Sequence, residues 1–370
     1  MNVPCALPPS SHHDFAREVK VRVDAYFTRN KLSKHANTTM ITKTVVLVSL
    51  YFGSYGLIVS GLLPLPWMWF LCLVLGVGMA GIGFAVTHDA LHGAYSADPR
   101  VNRLLGHVFA ALGANPYIWK LTHNHIHHTY PNVQGYDEDL EVSPLIRLSP
   151  HAPHKPIHRF QHVFAFFVYS FATLFWVFVK DYKYFLMSDL GPYRDKKHPL
   201  SEWLLLFFDK ILYYLMMIAL PLLVLEITWW QFLIGFLTLH LSAGLILGVV
   251  FQLAHVVEST SHLRKEEAGS FKRTSWVVHQ MRTTNNFARN SRLLSWYVGG
   301  LNYQIEHHLF PRICHVHYGK LSPIVEETAA EHGVPYHHHG TLWQAIRSHH
   351  RMLKAYGKPV PMSTMAPLRV

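Results

Sequence analysis

Two stretches of this sequence, residues 44–62 and 66–87, contain no Asp, Glu, Lys, Arg or His, and each reaches the roughly 20 apolar residues that a helix needs to cross a bilayer. The link between them, Gly61-Leu62-Leu63-Pro64-Leu65-Pro66, is short and Pro-rich, as expected where a chain reverses at the far side of a membrane. A second pair of apolar runs covers about 207–225 and 231–251, separated by Glu226, Thr228, Trp229 and Trp230, and the tryptophans suit a membrane–water interface. Half of the residues are apolar and only 15% are charged, a composition outside the ordinary soluble range. The expected fold is an all-α membrane protein with four transmembrane helices in two hairpins, beneath a cytoplasmic, histidine-rich helical cap.

A formal charge of +11 suits either nucleic acid or an anionic membrane surface, and its distribution decides. Neither hairpin tip holds Lys or Arg, whereas Arg17, Lys20, Lys34, Lys43, Lys120, Arg147, Lys196, Lys197, Lys210, Arg264 and Lys265 all fall on the other side. The positive-inside rule then places both termini in the cytoplasm, so the charge expresses topology and no nucleic-acid partner is expected. Residues 1–43 are polar and helix-like rather than signal-like and form the expected cytoplasmic N-terminal segment. Residues 44–355 make the membrane domain, and the basic, Pro-containing stretch 356–370 is expected to be a disordered tail.

One more apolar run, 160–179, contains Gln161, His162, Tyr169, Ser170 and Thr173 and is expected to lie at the interface as an amphipathic helix. A crossing there would put His128 and His307 on opposite faces of the membrane. Three dispersed cysteines, Cys5, Cys72 and Cys314, are too few for a disulfide framework or a Cys-rich zinc site and are expected to be reduced.

Twenty-nine histidines need a bland explanation before any becomes a ligand, but several gather just beyond the predicted spans. His88 and His92 are four apart and face one side of a helix. In His123-Asn124-His125-Ile126-His127-His128, His123 and His127 align, His128 is rotated by about 100° on a 3.6-residue helix towards a neighbouring ion, and His125 points elsewhere. His307 and His308 make a further adjacent pair, with Gln304 one turn earlier and His255 just beyond the fourth span. Gln304 is a weak ligand through its carbonyl oxygen, or holds a metal-bound water. Eight imidazoles, His88, His92, His123, His127, His128, His255, His307 and His308, exceed what one ion accepts and fit two. Imidazole suits Zn, Cu, Fe and Ni alike; a closed structural zinc site uses about four ligands, often with Cys, so a redox-active pair with open positions is the better match.

The ordered boxes HxxxH, HxxxHH and QxxHH, together with Trp119-Lys120 and Asn302-Tyr303-Gln304-Ile305-Glu306-His307-His308-Leu309-Phe310-Pro311, resemble the membrane fatty-acid desaturases over nearly the whole chain. Gln304 at the head of the third box resembles the front-end branch, which inserts a double bond between an existing one and the carboxyl end. No HPGG haem motif of a fused cytochrome b5 domain occurs, so the resemblance is closer to bacterial-type members. It implies two Fe ions, O2 as co-substrate and a fatty-acyl substrate bound to coenzyme A, a carrier protein or a lipid. It also implies an external electron donor of ferredoxin, rubredoxin or cytochrome b5 type.

Within that resemblance the cofactor supplies the chemistry and the protein supplies position and ligand field. Asp89, Asp137, Asp139 and Glu306 are candidates to orient the ring N–H groups of the ligands. Trp119, Trp276 and Tyr303 are expected to pack, His279 is a lesser candidate for contact with metal or substrate, and His337, His338, His339, His349 and His350 are expected to be solvated or adventitious. A diiron hydroxylase or acetylenase shares the same site type, and a histidine-rich metal transporter is a remote alternative, since its ligands should line a path within the membrane.

Overall fold

The computed structural model describes residues 9–268 and 273–359. Four of its helices are long and apolar enough to cross a membrane: Thr38–Val59, Leu65–Leu91, Leu200–Val224 and Trp229–His255. In the first, Met40, Lys43, Leu47, Tyr51, Ser54 and Ile58 are buried, a helical stripe of steps of three and four, while Val45, Val46, Leu50 and Leu57 face outward. The second span is the centre of the bundle, 61% buried over its most apolar window against 28% for the first and third.

Small residues bring the central helices together. A Cβ on Gly76 would collide with Ser242 Oγ and the Leu239 carbonyl of the fourth span, and one on Gly78 would press on Tyr51 of the first. Close backbone approach of this kind is how helices associate in lipid, where packing replaces the hydrophobic effect. The fourth span starts on a reciprocal cap, Thr228 Oγ1 accepting from Gln231 N and Gln231 Oε1 from Thr228 N, which satisfies two otherwise orphaned donors.

The first and third spans begin several residues earlier than the apolar runs, at Thr38 and Leu200 rather than 44 and 207. Two cations near these starts, Lys43 and Lys210, are buried inside the protein rather than marking a helix end. Lys43 meets His315. Lys210 pairs with Asp181 at 2.8 Å and donates to the carbonyls of Gly113, Trp176 and Val177. Breaking a buried pair of this kind from one side costs about 3–5 kcal/mol.

The run 160–179 does not form one helix along the interface. It belongs to two pieces, Pro156–Tyr169 and Ala172–Leu186, bent by 71°. At the apex, the Ser170 carbonyl and Tyr169 lie against Gly244 and Gly248 of the fourth span, and Thr173 donates to the His240 carbonyl at 2.8 Å. Gly244 is eleven residues before His255, about 16 Å down the helix at its usual rise. Both limbs return to the cap, one to Ile146, Leu148 and Tyr356, the other to Leu121 and Ile126. The pair is therefore V-shaped, its irregular turn buried in protein, where broken backbone is tolerated at depth.

The cap is helical, with two parallel strand pairs of two residues each, Val133–Gln134 with Leu263–Arg264 and Asn286–Phe287 with His338–His339. Its first helix, Pro9–Asn30, packs Phe15 and Val19 against Val278, Met281 and Val325. The chain remains ordered past the expected start of the tail: the Tyr356 hydroxyl meets His262 at 3.1 Å, and Arg147 donates to the Tyr356 and Lys358 carbonyls. The expected tail lies outside the described residues from 360 onward, as does Cys5; Cys72 and Cys314 are free thiols.

Candidate metal centre

The second span widens just before the first box. Residues Ile82–Thr87 form a π-helical turn, and the chain continues as His88–Leu91. The second box lies on a longer π-helical stretch, Lys120–His127, so that His128 N bonds the His123 carbonyl five residues back at 3.0 Å. That corrects the α-helical expectation for His128. A π turn closes its hydrogen bond over five residues rather than four, and the two Nε2 atoms of His123 and His128 come within 3.3 Å with their rings edge-on. The third box, on the short helix Gln304–Leu309, reaches the second span through Gly299 and Gly300, both at positive φ. A Cβ on Gly299 would strike the Phe84 carbonyl, so only glycine allows this approach.

All eight imidazoles named from the sequence meet here, none more than 9% exposed. Their nitrogens form overlapping groups within 4.8 Å: His88, His92, His123 and His307; His127, His255 and His308; and His128, His307 and His308. Ring centroids of His88 and His307 are 4.5 Å apart, those of His128 and His308 4.3 Å. His125 is exposed on the outer face of the same helix. Gln304 joins the site, its amide nitrogen 2.9 Å from His255 Nε2.

Outer partners fix which nitrogen faces inward for four of the rings. Both Asp137 oxygens accept from His127 Nδ1 at 3.1 Å, while Asp137 also accepts from Asn132 N and Asp139 N. His308 Nδ1 donates to Gln280 Oε1 at 2.7 Å, His255 Nδ1 to the Thr283 carbonyl at 3.1 Å, and His307 Nδ1 reaches the Tyr318 hydroxyl at 3.3 Å. Asp139 stands 3.7 Å from His127 and 4.0 Å from His123. Gln280, Thr283 and Tyr318 were not singled out in the sequence; only Gln280, beside His279, sat in a segment that drew notice.

Two of the expected orienting carboxylates serve other groups. Asp89 accepts from His315, and Glu306 accepts from Asn286 and Tyr336, neither touching a box imidazole. Burial raises the Glu306 pKa, against the hydrogen bonds of Tyr336 and Asn286. Trp119 stacks on His123 at 4.3 Å, Trp276 donates to the His128 carbonyl, and Tyr303 donates to the Arg289 carbonyl. His279 is buried and bonds the Pro131 carbonyl. Among the C-terminal histidines, His349 corrects the expectation of a solvated residue: it is fully buried, meeting Tyr169 and the Val256 carbonyl at 3.0 and 2.7 Å. His338 and His339 pair with the strand of Asn286–Phe287, and His350 is exposed.

The donor set fits a bound metal. His88, His92, His127, His307 and His308 bury Nε2, and His128 buries Nδ1, with no hydrogen-bond partner among the described residues. Leaving so many polar atoms unsatisfied would be costly unless a cation takes their lone pairs. Burial, reinforced by the neighbouring imidazoles, pushes His92, His123, His128, His307 and His308 well below the usual histidine range, keeping them neutral as ligands must be. His127 runs the other way: burial opposes its charge, but Asp137, by charge and hydrogen bonds, and Asp139 raise its pKa.

The family model for fatty acid desaturases matches residues 64–340, which include every box. The chain belongs to the fatty acid desaturase family. It is 36% identical over 347 residues to the sn-1 linoleoyl-lipid 6-desaturase of Synechocystis sp., covering 93% of this chain and 96% of that protein. The sn-1 linoleoyl-lipid 6-desaturase of Arthrospira platensis is 37% identical over 348 residues, 92% of each chain. The acyl-lipid (8-3)-desaturase of Physcomitrium patens is 33% identical over 350 residues, 94% of this chain and 72% of the other. The desaturase is thus an integral membrane oxidoreductase that uses O2 to introduce a double bond into a fatty-acyl chain. Its imidazoles cluster at one end of the spans rather than along a path through them, unlike the ligands of a transporter.

Proposed function

We propose that this desaturase is a front-end acyl-lipid desaturase with two irons. The observation that carries the metal assignment is the convergence of eight buried imidazoles in overlapping groups, too many for one ion. His88, His92 and His123 would hold one iron, His127, His255 and His308 the other, with His128 and His307 between them and Gln304 beside His255, directly or through water. When bound, such an iron pair supplies, with O2, the power to remove hydrogen from two adjacent unactivated methylenes.

The protein's own residues do the rest. Asp137, Gln280, the Thr283 carbonyl and Tyr318 hold the ligand rings in one tautomer, and Trp119 covers His123 and keeps water from that side. A lipid-linked acyl substrate and front-end placement are supported by Gln304 and by the names of the relatives. An apolar cavity of about 330 Å³ lies between the hairpins towards their tips, lined by Tyr55, Met68, Cys72, Met217, Phe236 and Leu239. Electrons come from a separate carrier of ferredoxin, rubredoxin or cytochrome b5 type.

Expression in a host lacking the product, with a panel of fed fatty acids, gives a lipid lighter by two hydrogens in mass spectrometry; a gain of oxygen instead would make the enzyme a hydroxylase. Both termini and the metal centre are assigned to the cytoplasm, on the absence of Lys and Arg at the hairpin tips. Cysteines introduced near Pro64 and Thr228 are then labelled from outside, and labelling of position 130 from that side would overturn the assignment.

A further inference from the structure

Behind the first box lies a buried group that the proposed metal centre does not use. Lys43 of the first span, Asp89 of the first box and His315, seven residues past His308, are 2%, 2% and 4% exposed. Lys43 Nζ lies 2.7 Å from His315 Nε2, and His315 Nδ1 lies 2.8 Å from Asp89 Oδ2, which also accepts from His315 N at 3.1 Å. Lys43 sits over the Trp296 ring at 5.5 Å, and Cys314 completes the surroundings of Asp89.

The chemistry of the donors fixes the protons. An ammonium has hydrogens to give and no lone pair, so His315 Nε2 must accept from Lys43. Its one ring hydrogen is then on Nδ1 and is donated to Asp89. A neutral imidazole thus bridges a cation and an anion, and both of its nitrogens are engaged. The same bookkeeping removes the alternative of a separate metal site on Asp89, Cys314 and His315, whose nitrogens lie close enough to the other two for one. His315 has no lone pair left to offer, and the ammonium sits where such an ion would need a ligand.

The triad joins three segments that are distant in sequence. The first and second spans run antiparallel, with Tyr51 against Gly78 and Leu47 against Gly81, so Lys43, one turn further along, comes level with the first box. Asp89 shares its turn with His88 and precedes His92 by three residues, while His315 follows the third box on a loop tied to the first span's approach through Cys314 N and the Lys34 carbonyl at 2.8 Å. We infer that Lys43 and His315 are positioning residues for the first histidine box: they hold Asp89, and through it the turn that aims His88 and His92 at the centre. A displacement of only 1 Å at a reacting centre can cost about 100-fold in rate. The inference rests on the assignment of the box histidines as metal ligands.

Four variants of the full chain, purified in detergent, test it: Asp89→Asn, Lys43→Met, the two combined, and His315→Gln. Each of the two single charge variants leaves the opposite charge buried alone and is expected to lose about tenfold or more of turnover, in the range of losing an outer partner of a ligand, with an altered Mössbauer signature of the bound iron. The combined variant leaves neither charge and recovers most of the turnover, the signature and the thermal midpoint. His315→Gln, which can donate to Asp89 and accept from Lys43, retains more of all three than His315→Leu. Losses that multiply in the combined variant overturn the inference, as does a signature unchanged in every variant. If the single variants do not accumulate as folded protein, folded yield of the combined variant supports the triad, and its absence counts against it. Iron in the unaltered chain tests the metal assignment separately, because rescue of the thermal midpoint reports on the triad whether or not iron binds.

Discussion

Replacing His308 by Ala abolishes desaturation and removes iron from the protein, and replacing His127 does the same. Both rings lie in the group shared with His255, are buried, and turn an unpartnered Nε2 inward. Each loss deletes a ligand outright, so it exceeds the roughly 10–100-fold penalty of losing only a ligand's outer partner. No neighbour can substitute, since the remaining inward nitrogens already belong to the same overlapping groups. His338→Ala is nearly silent, because that side chain is exposed on a strand edge. Product formation and iron per chain, measured together, check all three; full activity in His308→Ala, or one zinc and no iron in active enzyme, would falsify the metal assignment.

Asp137→Asn lowers activity or iron affinity by about 10–100-fold. The wild-type carboxylate offers only acceptors, and four contacts use them: His127 Nδ1 on both oxygens, Asn132 N and Asp139 N. An amide of the same size has one acceptor oxygen and one donor group. Whichever way it turns, an N–H meets another N–H, and a buried donor left unpaired costs about 1–3 kcal/mol. The negative charge that raises the His127 pKa, and makes that ring the richer electron donor to a metal, also disappears. Iron titration of the purified variant separates weaker binding from slower turnover; an Asn variant with unchanged iron affinity and rate would remove Asp137 from the site.

Much of this was readable in the chain because it is local. Apolar runs, one Pro-rich reversal and one tryptophan-bearing reversal marked the four spans, and histidines a few residues apart marked each box. What escaped depends on residues that meet only in the folded state. Gln280 and Tyr318 reach their histidines from 28 and 11 residues away, and Asp89 turns to His315, 226 residues on, rather than to the box that contains it. Lys43 was counted as a topological charge, although its partner lies 272 residues ahead. His349 was expected to be solvated because nothing in its own segment announced that Tyr169 and Val256 would enclose it. The apex of the V at residues 170–171 was hidden for the same reason: composition shows that 160–179 is apolar with polar interruptions, but the bend depends on Gly244 and Gly248 of another helix.

The wide turns at Ile82–Thr87 and Lys120–His127 have a bearing on how such a centre could be rebuilt. On a regular helix His123 and His128 would point about 140° apart, five steps of 100° less a full circle, and the second box would split between two faces. Grafted with its spacing intact onto an ideal straight scaffold, the motif would therefore keep its letters and lose its geometry. A designer would have to import the extra residue of each loosened turn, together with the neighbouring helices that keep it from relaxing.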